Sequence, residues 1–343
     1  MTTKLNLSLL ILLILIISSV RAFSQKQAKA ICVAFYNMEN LYDTINDPTI
    51  NDEEFLPNGA DLWNTDKYLR KLDHMSTVIS QIGDEFMKGG PTIIGLSEIE
   101  NQRVLEDLIH TKALKNSGYS IAHFDSPDRR GVDVAMLYKK DFILVHEVAV
   151  PLHMPDKPDF RTRDQLVVTG LLDGDTVTIL VNHWPSRGND EPYRIAAAHL
   201  THKIVDSLYA RNKEARVLIM GDLNDDPIDQ SLIVALGAEG RPEKVKQGGL
   251  YNPMWQMYKD GLGSLAYKDS WNLFDQIIVS QPLMKEKTTS WKLYKTRIFK
   301  KPFMIQQDGQ FAGYPFRTFA GGAYAGGYSD HFPVFVVLVK EKK

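Results

Sequence analysis

Five short stretches carry the residue types that a phosphate ester and a divalent cation require: Asn37-Met38-Glu39-Asn40, Ser97-Glu98, Asn182-His183, Gly221-Asp222-Leu223-Asn224 and Tyr328-Ser329-Asp330-His331. Each places Asn, Asp, Glu or His beside a short apolar run that reads as a β-strand. Carboxylate and amide oxygens suit a hard cation such as Mg²⁺, and imidazoles move protons near neutral pH. Glu98 closes the apolar run Thr92–Leu96, where an unpaired carboxylate is costly to bury. A cation offsets that cost, and a salt bridge to a buried Arg is the alternative. Asn37 and Glu39 are two apart, so in an extended strand they face one side. Both are therefore expected at one metal, Asn37 as amide ligand or phosphate contact and Glu39 as carboxylate ligand. Asn40 reads instead as a loop cap. Asp222 and Asn224 repeat the spacing after Val217–Met220, while Asp225-Asp226-Pro227 fits a cap for the next helix.

The elements that must hold these residues alternate along the chain. Ala30–Tyr36 reads as the first strand. Leu69, Leu72, Met75, Val78, Ile79 and Ile82 fall at helical spacing within 65–87, with Asn64 or Thr65 as cap. Thr92–Leu96 is a buried strand, followed by a helix over 102–114. Strands are expected at 120–124, 132–138, 142–150, 165–172 and 176–182, the last two joined by a turn at Asp173-Gly174-Asp175. A long helix covers 192–211, then a strand 217–220, a short helix after Asp229, and strands at 274–280, 291–299 and 333–339. Interleaved helices and hairpins argue for mixed sheets faced by helices. Residues 247–270 read as a long loop, and Gly321–Gly327 as a flexible hairpin or a substrate-facing loop.

The 343 residues, 44% hydrophobic and 24% charged, fit a globular chain. The five stretches must converge to act, which favours a single domain over residues 25–343. Residues 1–24 have the layout of a signal peptide: Lys4, nine apolar residues from Leu9 to Ile17, and small Ala22 and Ser24 before Gln25. Nine residues fall short of the roughly 20 that span a bilayer, so stable membrane insertion is not expected. A secreted or periplasmic protein follows. Without Lys4 and Arg21 the formal charge moves from −2 to −4. That balance excludes a general nucleic-acid coat, though not a nuclease that grips one phosphate with a metal and a few Arg. Cys32 is the single cysteine, which excludes an intrachain disulfide.

In this order the stretches resemble the endonuclease/exonuclease/phosphatase superfamily (deoxyribonuclease I-like) from Val33 to Val337. Tyr36–Asp43 and Asn182-His183-Trp184-Pro185-Ser186-Arg187 are most similar to its secreted bacterial branch. The resemblance implies an α/β (α+β) four-layer α/β/β/α sandwich of two mixed β-sheets flanked by helices, with the site at one edge between the sheets. It implies Glu98 as main metal ligand for Mg²⁺ or Mn²⁺, with Ca²⁺ also compatible, and Asp330 as a further ligand beside Asn37 and Glu39. Many members carry Asp where Glu39 stands. Asp222 would orient or deprotonate the attacking water, and Asn224 would contact a phosphate oxygen. Asp275 matches the Asp that pairs with the C-terminal His, here His331. Asp133 matches a carboxylate supporting the other His, here His183. Arg130 and Arg187 lie in two of the motifs, and a guanidinium fork suits phosphate. Arg187 reads equally as an ordinary salt-bridge residue, and Arg161 and Arg163 are weaker candidates.

The function implied is a metal-dependent phosphoesterase, a nuclease acting on phosphodiesters of DNA or RNA, working as a monomer. The alternatives are a phospholipid/sphingomyelin or inositol/sugar-phosphate esterase, or a binding protein without catalysis. The intact set of motifs counts against the last. Aromatic residues around Trp255 and Tyr324 suit a nucleic-acid or a lipid substrate.

Overall fold

Side-chain alternation along the first strand dictates the layering. In the computed structural model, which describes residues 28–286 and 289–341, β1 spans Ala28–Leu41. Cys32, Ala34, Tyr36 and Met38 pack on one side of it, and Ile31, Val33 and Phe35 on the other. Both faces are apolar, so each must be covered. The expected signal segment, residues 1–24, lies outside the described residues.

The chain continues as α1 (Thr65–Ile79), β2 (Ile93–Ile99), α2 (Gln102–His110), β3 (Ser120–His123), β4 (Asp133–Tyr138), β5 (Phe142–Val150), β6 (Gln165–Leu172) and β7 (Asp175–His183). Then follow α3 (Glu191–Arg211), β8 (Arg216–Asp222), β9 (Ala238–Glu239), β10 (Leu250–Tyr251) and α4 (Met254–Lys259). Two hairpin strands, β11 (Leu265–Tyr267) and β12 (Ser270–Asn272), lead into β13 (Asp275–Ser280). The chain ends with β14 (Lys292–Ile298), the hairpin β15 (Phe319–Ala320) and β16 (Ala323–Tyr324), and β17 (Val334–Glu341).

One sheet runs β14-β17-β1-β2-β4-β3 and the other β5-β6-β7-β8-β13-β10-β9. Their inner faces meet: Val33, Phe35 and Val336 pack with Leu218, Met220 and Ile277. Gly95 of β2 marks how close they come, since a Cβ there would stand 2.6 Å from Met220 Sδ. On the outside of the first sheet, Leu72, Met75 and Val78 of α1 and Leu105 and Leu108 of α2 cover Cys32, Ala34 and Tyr36. Outside the second, Ala198, Val205 and Tyr209 of α3 cover Leu180, Val217 and Ile219. The result is the four-layer α/β/β/α arrangement.

Two expectations need correction. The helix expected over 65–87 ends at Ile79, because the chain then turns through Gly83 (φ 79°) to lie on Cys32; a Cβ at Gly83 would meet Cys32 Sγ at 2.8 Å. Its cap is Asn64, whose side chain accepts from Lys67 N at 3.0 Å. The segment 247–270 is not a loop throughout, since it supplies β10 to the sheet edge and carries α4. The short helix expected after Asp229 is present as a π-helix over Ser231–Ala235. No helix among the described residues is long and apolar enough to cross a membrane.

Candidate active site

Strand direction brings the motifs to one edge. β1 and β2 are parallel, as are β7 and β8, while β17 and β13 run antiparallel to β1 and β8. The ends of β1, β2, β7 and β8 therefore meet the starts of β13 and β17. Register aligns them further: Asn37 pairs with Ser97, and His183 and Asp275 both pair with Asp222. Of the eight non-glycine residues with positive φ among the described residues, Glu39, Asn40, Glu98 and Asn224 lie in these motifs. The β1–β2 ladder shifts between Asn37 and Leu41, and the β2–β4 ladder between Ser97 and Ile99. Such bulges re-aim side chains, and strained backbone is tolerated where the surroundings over-determine it.

Asp222 is the hub. Its Oδ2 accepts from Asn37 Nδ2 at 3.0 Å and its Oδ1 from Asn224 N at 3.0 Å. His183 Nε2 and His331 Nε2 stand 3.7 and 3.9 Å from Oδ2. Burial, reinforced by the charges of Asp275 and Glu98 and opposed by His331, pushes the Asp222 carboxyl up to about 7. His331 Nδ1 donates to Asp275 Oδ2 at 2.6 Å. Burial disfavours the His331 cation, but Asp275, Asp330 and Asp222 outweigh it and hold the imidazole well above its ordinary range. His183 is pushed the other way, by burial and by Arg163 and Arg130. Two imidazoles with opposite proton affinities thus flank one carboxylate.

Glu39 departs from the expected geometry. With φ 46° there and 56° at Asn40, the chain leaves the extended conformation that would have kept Glu39 on the side of Asn37. Its Oε1 instead accepts from Arg317 Nε at 3.1 Å, its Oε2 from Thr318 N at 2.7 Å, and Lys71 Nζ lies 3.7 Å away. Lys71 also donates to Thr318 Oγ1 and Tyr328 O, both at 2.6 Å. Arg317 Nη2 continues the web to Asp330 Oδ2 at 3.0 Å. Sequence reasoning missed Lys71, Arg317 and Thr318. Lys71 carried a usable signal, three residues after Tyr68 and four before Met75 on the buried stripe of α1; Arg317 carried none.

The pairing of Asp133 with His183 is overturned. Asp133 Oδ2 bonds His123 Nε2 at 3.0 Å, and Oδ1 accepts from Ser126 N at 2.8 Å. His183 Nδ1 is buried without a hydrogen-bond partner among the described residues. The reason is register: Asp133 starts β4 opposite Ile99, and His123 precedes it on the neighbouring β3. Arg187 is occupied as a salt bridge, donating to Asn224 O and to Asp226 and Asp229 while stacking 4.4 Å from the Phe274 ring. Arg130 does line the site. It opens on a cavity of about 350 Å³ together with Arg129, Arg161 and Arg163, with Glu98, His183, Asp222, Asn224 and His331 on its wall. Arg163 is buried and clamps the end of β7, donating to His183 O at 3.2 Å and Trp184 O at 2.6 Å. Trp255 and Tyr324 face elsewhere: Trp255 packs on Gly240, and Tyr324 packs against Trp63 and Phe319.

The donor set fits a hard divalent cation. Glu98 Oε2 accepts from Asn40 N at 2.9 Å, while Oε1 stands 3.9 Å from His183 Nε2, beyond hydrogen-bond reach and open to a ligand. Asp275 Oδ1 is buried and has no hydrogen-bond partner among the described residues. A second gathering lies at the β3–β4 edge, where ligating atoms of His123, Asp125 and Asp133 all fall within 4.8 Å of one another. Oxygen-rich sets of this kind suit hard divalent cations better than softer metals.

Fold and site together define a phosphoesterase of the two-sheet sandwich class. The sequence model of the Endonuclease/Exonuclease/phosphatase family matches residues 32–340, and the chain belongs to that family. Solved structures agree in fold. An endonuclease/exonuclease/phosphatase family protein from Bacteroides thetaiotaomicron is 17% identical, with 92% of this chain and 100% of that one covered at a TM-score of 0.55. A mannosyl-6-phosphatase from the same organism is 18% identical over 90% and 99% of the two chains, TM-score 0.55. TDP2 of D. rerio, complexed with a single-strand DNA product, is 12% identical over 90% and 99%, TM-score 0.55. No curated protein matches the chain in sequence.

Proposed function

We propose that this chain is an exported, Mg²⁺- or Mn²⁺-dependent hydrolase of phosphodiester bonds in DNA or RNA, acting as a one-domain monomer. The observation that carries the reading is Asp222, held between His183 and the His331–Asp275 pair at the floor of an arginine-lined cavity. Glu98, with Asn37 and Asp330, would hold the cation, which when bound neutralises the phosphate and the leaving oxygen. Asp222, whose proton affinity sits near neutrality, orients the attacking water and takes its proton. His331, kept protonated, is a charged donor to a phosphate oxygen, and neutral His183 is a second contact. Asn224 and Arg130 position the remaining oxygens. Glu39 supports the site through Arg317 and Asp330.

The DNA product bound to D. rerio TDP2 supports a nucleic-acid substrate for this chain. A second reading, a sugar-phosphate phosphatase, draws support from the four arginines around one cavity, which suit a compact dianion, and from the mannosyl-6-phosphatase likeness. Plasmid DNA, RNA, sphingomyelin and mannose 6-phosphate should be assayed side by side with Mg²⁺, Mn²⁺ and Ca²⁺. Nicking of the plasmid is the expected result. Turnover of mannose 6-phosphate without nicking would put the second reading first. Export is tested by N-terminal sequencing of secreted material, with Gln25 as the expected first residue.

A further inference from the structure

A second cavity, of about 310 Å³, is lined in part by Arg317. Arg317 lines it while its Nε and Nη2 bond Glu39 and Asp330, so the side chain that borders this space is also tied to two carboxylates of the site motifs. Its walls carry rings left open to solvent: Tyr267 is 64% and Phe311 39% exposed. Large apolar surface is rarely left open without a use. Tyr314, the third ring, is fixed in place. Its hydroxyl donates to Asp269 Oδ1 at 2.6 Å and accepts from Asp269 N at 2.7 Å, and Phe311 lies 5.8 Å from it between centroids. The β11–β12 turn that presents Tyr267 and Asp269 is held at positive φ, 48° at Lys268 and 62° at Asp269. Gln306 and Gln310 add amide groups, each both donor and acceptor, at the rim.

We propose that this cavity is a stacking subsite for one nucleobase of the substrate, adjacent to the scissile phosphate; the proposal rests on the nuclease reading. The volume is at the small end of ligand pockets, on the order of 300–1,000 Å³, and suits one ring system rather than a duplex. Aromatic faces bind any base by stacking, and amides pair with base edges. A lipid chain would set hydrocarbon against Gln306, Gln310 and the Arg317 cation, polar groups that a base edge suits better.

The test compares thymidine 5′-(4-nitrophenyl phosphate) with methyl 4-nitrophenyl phosphate, which has the same leaving group and no base. Tyr267→Ala and Phe311→Ala should raise KM for the thymidine ester about ten-fold at unchanged kcat, and leave the methyl ester unaffected. Equal effects on both esters, or none on the thymidine ester, would overturn the subsite. Hydrolysis of neither ester by the unmodified protein would defeat the nuclease reading alone. In that case calorimetry judges the cavity, with dTMP and deoxyribose 5-phosphate as probes in Mg²⁺ buffer. Tighter binding of dTMP, lost in Phe311→Ala, supports a base subsite; equal affinities for the two probes refute it.

Discussion

His331 Nδ1 lies 2.6 Å from Asp275 Oδ2, and Asp275 sits directly across the β8–β13 ladder from Asp222. One ladder rung therefore carries both the carboxylate that orients the imidazole and the carboxylate assigned to the water. The shared rung ties the two roles to a single register, which a one-residue slip would destroy. Asp275→Asn should lower kcat by about 10², close to the effect of His331→Ala, because the amide no longer orients the imidazolium or holds its charge. The same change removes a charge that raises the His331 proton affinity, so its imidazole should titrate at lower pH by NMR. A lower melting temperature with kcat and titration unchanged would mean that Asp275 is only structural.

Under the proposed function, metal dependence is expected to concentrate on Glu98. Its Oε2 is bound by Asn40 N, and Oε1 is the oxygen left open. Chelation should abolish turnover, and Mg²⁺ or Mn²⁺ should restore it. Glu98→Gln keeps the Asn40 contact, so the fold should melt normally while the variant loses most activity. Full activity in excess chelator would end this assignment.

Lys71 is a buried ammonium whose carboxylate partner, Glu39, is buried with it. Lys71→Met should destabilise the protein by about 3 kcal/mol, at the low end for a broken buried pair because Arg317 and Thr318 still hold Glu39. Adding Glu39→Gln should recover part of the loss, and urea denaturation of the double-mutant cycle measures how much. A strictly additive cycle would show that the two groups are energetically independent.

Much of this arrangement was legible in the residue order. Apolar runs ending in Asn37, Glu98, His183 and Asp222 located the strand ends, and parallel pairing then forces those ends together. The His331–Asp275 pair emerged as the family resemblance implied. What failed to be legible has a common physical cause, which is local departure from the ideal strand. The i, i+2 rule predicted that Glu39 would share a side with Asn37, but positive φ at Glu39 and Asn40 redirects it toward Arg317. Asp133 was matched to the wrong His because cross-strand neighbours, here His123 and Asp133, are set by register that no sequence spacing records. Of the rings at the second cavity, Tyr267 ends the three-residue strand β11 and Phe311 and Tyr314 sit in a loop, all too short for a periodic signal, and so Trp255 and Tyr324 stood out in their place.

Arg130 and Arg187 looked equivalent as phosphate contacts and are now separable. Arg130 faces the cavity, with its Nε 3.7 Å from Asp128 Oδ1, whereas Arg187 is bound by Asn224 O, Asp226 and Asp229. Arg130→Ala should raise KM for plasmid DNA and for a small phosphodiester alike, since it removes a contact to the reacting phosphate. The dependence of DNA affinity on salt should become shallower by about one phosphate contact. Arg187→Ala should act mainly on stability, by about 1–3 kcal/mol, because it leaves buried Asp226 short of a partner. Its kcat and KM should stay close to those of the unmodified protein below the melting transition. If Arg187→Ala instead raises KM as Arg130→Ala does, with thermal stability unchanged, then Arg187 leaves its carboxylates when substrate arrives and contacts the phosphate directly.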